Sequence, residues 1–280
     1  MTQSNPHQPS TEKQLVLCFD MDGTILDEHE RFYPQDIPVL RAPPPEVQFI
    51  LATGRSLPSV LLTYVKNGLL ETGQPLPYPA VCQNGAVNYL PGGLPHDHVT
   101  FKPDLVAEII QRLEPYPQLT ILLFLIENIL SYRMTPYGKK MLDLYDLSTR
   151  DFDGGLNHLL VTKVMCISQD PAPLARLFQD AADLPVERTY SFNTILEFGP
   201  LGVHKAAGID TLLRAMGLSR LPRYAAGDGM NDITMLRSAD RTFAPDTASE
   251  YARSLAQVIV PVREQGLLAP MLADWSSRRL

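Results

Sequence analysis

Apolar positions follow two rhythms along this chain. They run without a break from Leu15 to Phe19 and again, with Gln48 as the single polar residue, from Val47 to Ala52, the pattern of strands covered on both faces, as central parallel strands are. The second run ends at Thr53-Gly54-Arg55 and precedes Leu57, Val60, Leu61, Tyr64 and Val65, spaced as one face of a helix. A shorter apolar stretch over residues 79–85 closes on Asn84 and Gly85 and predicts a third strand with a turn. Strand, helix, strand in that order points to a doubly wound α/β domain.

From Ala86 to Phe198 the texture changes. Helical spacing over 103–116, with Pro103 in the first turn, and over 171–184 alternates with strand-like runs from Leu119 and over 159–168. Residues 186–198 predict a hairpin around Phe192 and Asn193. The α/β rhythm then resumes with a helix over 204–217 closed by Gly217, a strand over 222–228 and a helix over 231–239. The expected organisation is a tail over 1–14, a Rossmann-like parallel-sheet core from 15–85 and 199–280, and an inserted α+β cap over 86–198. Ligand is expected between the cap and the carboxyl ends of the core strands.

Composition narrows the partners. A formal net charge of −7 argues against a general nucleic-acid surface, which needs clustered Lys and Arg. The apolar stretch from Leu119 to Leu130 is broken by Glu127 and Asn128 and falls short of the ~20 residues of a membrane span; it reads as a buried strand and its continuation. Cys18, Cys82 and Cys166 stand far apart in apolar stretches, as small core residues of a reducing cytosol. The opening residues lack the apolar segment of a signal peptide, so a cytoplasmic location is expected. Oligomeric state is left open.

Four polar motifs interrupt this pattern, each at the end of an apolar strand or the start of the next helix: Asp20-Met21-Asp22-Gly23-Thr24, Thr53-Gly54-Arg55, His204-Lys205, and residues 227–232 with Asp228, Asn231 and Asp232. In an α/β sheet such tips converge on one crevice. Carboxylates gathered there raise one another's pKa unless a cation holds them, and an all-oxygen set favours Mg²⁺. Asp20 and Asp228 are the expected direct ligands, with Asp232 beside them or one water further out. Asp20 suits a nucleophile that attacks phosphorus, and Asp22 an acid that protonates the leaving oxygen and then a base that takes a proton from water. Gly23 permits the tight path between them. Thr53, with the backbone around Gly54, holds a phosphate oxygen, while Lys205 balances charge in the transition state. Asn231 and Asp232 alternatively orient Lys205 or a metal-bound water.

These motifs resemble those of the haloacid dehalogenase superfamily of phosphohydrolases, and the place of the insertion resembles the Cof-type branch with its large C2B-type α+β cap. The resemblance implies a phosphorylated nucleophile and Mg²⁺ ligand at Asp20, and at Asp22 the acid/base whose backbone carbonyl also reaches the metal. It implies phosphate contacts at Thr53 and Lys205, a metal carboxylate at Asp228 and a supporting acid at Asp232. The activity implied is hydrolysis of a small phosphomonoester, often a sugar phosphate and sometimes a cofactor phosphate such as pyridoxal phosphate or flavin mononucleotide. Ala206 stands where a glycine often follows the lysine.

A phosphomutase using the same aspartates and a noncatalytic sugar-phosphate sensor are the alternatives, separable by turnover. Arg55, Asn84, Lys163 and Glu197 are candidate substrate contacts; the competing readings are a brace for the cap, a plain turn residue and a cap salt link. His204 reads as structural or solvent-exposed, residues 151–154 as a cap loop, and Tyr132, Tyr137 and Tyr145 as packing residues without a site role.

Overall fold

The computed structural model describes residues 12–145 and 147–278, so the first eleven residues of the expected tail lie outside the described residues. The end of that tail is docked on the core. Lys13 Nζ donates to the Val47 carbonyl at 2.7 Å, and the Gln14 N–H to that of Glu46 at 2.8 Å.

β1 (Leu15–Phe19) is buried at every position and lies between β2 (Val47–Ala52) and the later strand Arg223–Ala226, parallel to both. Its side chains alternate between two cores, as the pleat dictates. Leu15, Leu17 and Phe19 pack with Val60, Tyr64, Met271 and Trp275; Val16 and Cys18 pack with Ile209, Leu212 and Met235. The short helix α1 (Ile37–Arg41) precedes β2, and α2 (Leu57–Lys66) joins it to β3 (Ala80–Cys82).

The sheet does not end there. β4 (Val87–Leu90) and β5 (Leu94–His98) add two antiparallel strands at its edge, so residues 87–98, expected in the cap, belong to the core sheet. The reversal is made by Gln83, Asn84 and Gly85, all at positive φ (51°, 57° and 106°). That geometry turns the chain back on itself instead of releasing it into a new module.

The cap begins with α3 (Pro103–Leu113) and β6 (Thr120–Phe124). β7 (Ile129–Arg133) pairs antiparallel with β6, so the stretch from Leu119 to Leu130 is a hairpin rather than one strand and its continuation. Glu127 and Asn128, both exposed, make its turn. Then come α4 (Pro136–Leu144), β8 (Arg150–Asp151), β9 (Lys163–Ile167), α5 (Pro171–Asp180) and the hairpin β10 (Val186–Phe192) and β11 (Ile195–Pro200). These six strands form the second sheet, in the order β10-β11-β9-β6-β7-β8. One face is covered by Val106 and Ile109 of α3 and Leu174 and Leu177 of α5. The other carries Leu122, Phe124, Met165, Ile167 and Ile195, partly covered by Leu142 of α4, and it is turned toward the core.

The chain re-enters the core through α6 (Lys205–Met216), closed by Gly217 in the left-handed conformation. β12 (Arg223–Ala226), α7 (Ile233–Arg237), β13 (Arg241–Pro245), α8 (Glu250–Leu255) and β14 (Val258–Val260) complete the parallel part of the sheet. α9 (Val262–Gln265) and α10 (Leu268–Ser277) return across one face. The architecture is a Rossmann-like α/β core with an inserted α/β cap, as expected. No helix among the described residues is long and apolar enough to cross a membrane.

Candidate active site

Asp20 is the first residue past β1 and is tied to the neighbouring strand by its N–H, 3.0 Å from the Ala226 carbonyl. It is 4% exposed. Lys205, at the first turn of α6 and fully buried, donates from Nζ to Asp20 Oδ1 at 2.5 Å and to Asp232 Oδ1 at 2.6 Å. The other oxygen of Asp232 accepts the N–H groups of Asp228 and Gly229, each at 2.9 Å. Asp232 thus fixes both Lys205 and the loop that carries Asp228. Thr24, which the sequence reading left without a role, donates to Asp228 Oδ1 at 3.1 Å and lies 3.4 Å from Asp20 Oδ2. Its place one residue past Gly23, in the same motif, was the available signal.

Burial sets the electrostatics. It pushes the Asp20 carboxyl well above its ordinary value; Lys205 opposes the shift, and Asp232, Asp228 and Asp22 add to it. Asp228 is pushed up to about 7, by burial first and by Asp232 next. Burial also works against the charge of Lys205, but Asp20 and Asp232 outweigh it and hold its pKa above the usual lysine value.

One carboxylate oxygen from each of Asp20, Asp228 and Asp232 falls within 4.8 Å of the others. Oxygen-only donors so placed, with two carboxyls displaced upward, fit a small divalent cation that would compensate them. Because Asp232 already serves Lys205 and two N–H groups, Asp20 and Asp228 are the carboxylates that would hold such an ion. Gly23 makes the approach possible: at φ 71°, a Cβ there would lie 2.5 Å from Asp228 Oδ2.

The phosphate-side residues converge on the same floor. Thr53 is buried, and its hydroxyl oxygen accepts the Arg55 N–H at 3.1 Å, so its own hydrogen can be directed at a phosphate oxygen. Gly54 and Asp22 line the same cavity as Asp20 and Asp228. His204 is structural, its Nδ1 accepting the Ala207 N–H at 3.2 Å to cap α6.

Arg55 does something else. Its guanidinium holds both oxygens of Asp22, the shortest contact 2.5 Å, and bonds Glu30 Oε1 at 2.5 Å. Burial works against its charge, but Asp22 and Glu30 more than restore it. To reach a leaving oxygen, Asp22 would have to give up Arg55, which would keep Glu30 as its partner. Nothing in the sequence pattern singled out Glu30.

Lys163 and Glu197, 2% and 1% exposed, pair at 2.6 Å in the cap. Lys163 also donates to the Gly54 carbonyl at 2.9 Å, and Asn84 Nδ2 to the second oxygen of Glu197 at 2.6 Å. These residues join the cap to the two core loops that carry Gly54 and Asn84. Asn231 donates to Asn84 Oδ1 at 3.3 Å, so it braces this link, whereas Asp232 is bonded to Lys205. Gln83 adds a second link through the Leu125 carbonyl (2.9 Å) and the Thr162 hydroxyl (2.5 Å).

Tyr145, expected only to pack, lines the cavity with its ring 5.9 Å from the Arg55 guanidinium. Tyr132 packs on Phe152, away from the site, and Tyr137 against the cluster of α4. Residues 151–154 begin with the edge strand β8 rather than forming loop throughout.

A family model described as haloacid dehalogenase-like hydrolase matches residues 17–272. A curated relative, the 5-amino-6-(5-phospho-D-ribitylamino)uracil phosphatase of Bacillus subtilis, is 21% identical over 95% of this chain and 98% of its own length. A HAD/COF-like hydrolase from Plasmodium vivax superposes with a TM-score of 0.79 at 23% identity, covering 96% of this chain and 97% of its own. A HAD subclass IIB sugar phosphatase gives 0.77 at 20% identity, covering 92% and 98%.

Proposed function

This chain belongs to the haloacid dehalogenase-like hydrolases, and on that premise we propose that it hydrolyses a small phosphomonoester, with Mg²⁺ as cofactor and a phosphoryl group carried transiently on Asp20. The observation that carries the reading is the buried Asp20 clamped by Lys205, with oxygens of Asp228 and Asp232 within 4.8 Å. A divalent cation bound by Asp20 and Asp228 would draw in the phosphoryl oxygens and neutralise their charge.

The chain's own groups account for the rest. An Asp20 oxygen attacks phosphorus, the bond from phosphorus to the ester oxygen breaks, and Asp22, released by Arg55, delivers a proton to that oxygen. Asp22 then takes a proton from a water that attacks the same phosphorus, which frees the Asp20 carboxylate and inorganic phosphate. Thr53 and the backbone at Gly54 orient the phosphoryl oxygens, and Lys205 offsets charge as it moves between Asp20 and phosphate. The cap excludes water and presents the surface that meets the leaving group, the role of the C2B-type cap.

Hydrolysis is favoured over a mutase by the cavity wall. Among the described residues that line it, the one cation is Arg55, already shared by Asp22 and Glu30 rather than free for a second phosphate. A passive sensor would not need a nucleophile beside an acid/base. Two leaving groups have support: sugars, handled by the subclass IIB sugar phosphatase, and a ribityl-linked uracil, handled by the curated relative. The test is inorganic phosphate release from a panel of phosphate esters, with Mg²⁺ and with chelator. Release that needs the metal and vanishes in Asp20→Asn is expected; no metal-dependent release from any ester overturns the proposal.

A further inference from the structure

We infer that the substrate of this phosphatase carries a flat aromatic ring that packs beneath the cap, and is not a simple polyol phosphate; the inference rests on the hydrolysis reading above. Among the described residues, the cavity over Asp20 is polar mainly on one side. Its floor has Asp20, Asp22, Asp228 and Arg55, whereas Met141, Tyr145, Leu147, Met165, Ile167 and Phe192 dominate the cap side. Among the described residues, apart from the Tyr145 hydroxyl, the polar side chains the cap contributes are Ser191 and Glu197. Both Glu197 oxygens are already occupied, by Lys163 and by Asn84.

A hexose or pentitol entering this space exchanges water for methyls and thioethers at most of its hydroxyls, and each hydroxyl left without a partner weakens binding. A flat ring meets the opposite situation. The rings of Tyr145 and Phe192 are stacked, 6.3 Å apart and inclined by 25°, and Phe192 is 42% exposed at the tip of the β10–β11 hairpin. They form an aromatic shelf at the cavity edge, with the Arg55 guanidinium beside Tyr145. Met141 and Met165 supply polarizable, adaptable contacts for a ring face.

The experiment compares kcat/KM within two pairs of phosphomonoesters: flavin mononucleotide against ribitol 5-phosphate, which share the ribityl phosphate, and pyridoxal 5′-phosphate against glucose 6-phosphate. A preference of at least tenfold for the ring-bearing member of either pair, about 1.4 kcal/mol, is expected. A smaller ratio in both pairs overturns the inference. In that case Mg²⁺-dependent release from any of the four, lost in Asp20→Asn, leaves the hydrolysis reading standing, whereas no release from any of them removes both.

Two variants locate the preference. Phe192→Ser, at an exposed position where the fold is not at risk, should cut the ring-to-polyol ratio at least fivefold. Tyr145→Phe, which keeps the ring and loses only the hydroxyl, should leave that ratio within twofold. An unchanged ratio in Phe192→Ser would remove the shelf, and with it the inference.

Discussion

Asp20 and Asp228 share with Asp232 a volume in which burial disfavours the charged forms of the first two, and Lys205 is bonded to both Asp20 and Asp232. In Lys205→Met the buried Asp20 and Asp232 lose their counter-charge, so a destabilisation of about 3–5 kcal/mol is expected in urea unfolding of the metal-free protein, together with loss of turnover. Gly23→Ala pushes a methyl toward the Asp228 carboxylate at a φ that side chains avoid. The Mg²⁺ concentration for half-maximal activity should rise about 10–100-fold, read by titrating the metal in the phosphate-release assay. The motif residues were legible because chemistry dictates both their type and their place at strand tips. Glu30 and Phe192 were not, since their roles depend on which side chain the fold brings opposite them. Lys163 and Glu197 show the middle case, with positions foreseen near the crevice and the mutual pairing supplied only by the β9–β11 register.

At the scale of elements, Asp36 anchors the last helix to the first helical turn. It is fully buried and accepts the N–H groups of Leu267 and Leu268, at 2.8–2.9 Å, where α10 begins. Burial nevertheless pushes its carboxyl up to about 6, from an ordinary value of 3.8. An acid raised in the folded state contributes stability below the unfolded value that is lost as pH climbs through the folded one. Between pH 4.5 and 7, Asp36→Asn should therefore gain about 2 kcal/mol on the parent chain in urea unfolding; a constant difference would show that Asp36 titrates as an exposed acid. Long apolar runs such as β1, β2, β6 and β9 announced themselves in the sequence. β4 and β5 did not, because strands of four and five residues at a sheet edge carry half-polar patterns, exemplified by Asn88 and Asp97. The β6–β7 turn was hidden for a different reason: apolar residues crowd both sides of Glu127 and Asn128.

Across the whole molecule, metal and proton compete for one place. Asp228, raised to about 7, takes up a proton in the folded protein as pH falls, so the metal-free form loses stability as pH rises through that value. Added Mg²⁺ should raise the melting midpoint more at pH 8 than at pH 6, as measured by calorimetry; an equal gain at both would mean that Asp228 does not hold the ion. The cap reaches the core through few polar links, chiefly Lys163 to Gly54 and Glu197 to Asn84. Gly85 and His204 touch so closely that a Cβ on the glycine would lie 2.5 Å from the His204 carbonyl, and the Val99 N–H bonds the Ala86 carbonyl at 2.8 Å. The chain thus departs for the cap and comes back at adjoining points, like a drawer with both runners on one side. A short splice between those points would excise the roof in one piece and bare the catalytic floor to phosphates on bulky macromolecules, and a foreign roof grafted there would redirect the enzyme without disturbing a single aspartate.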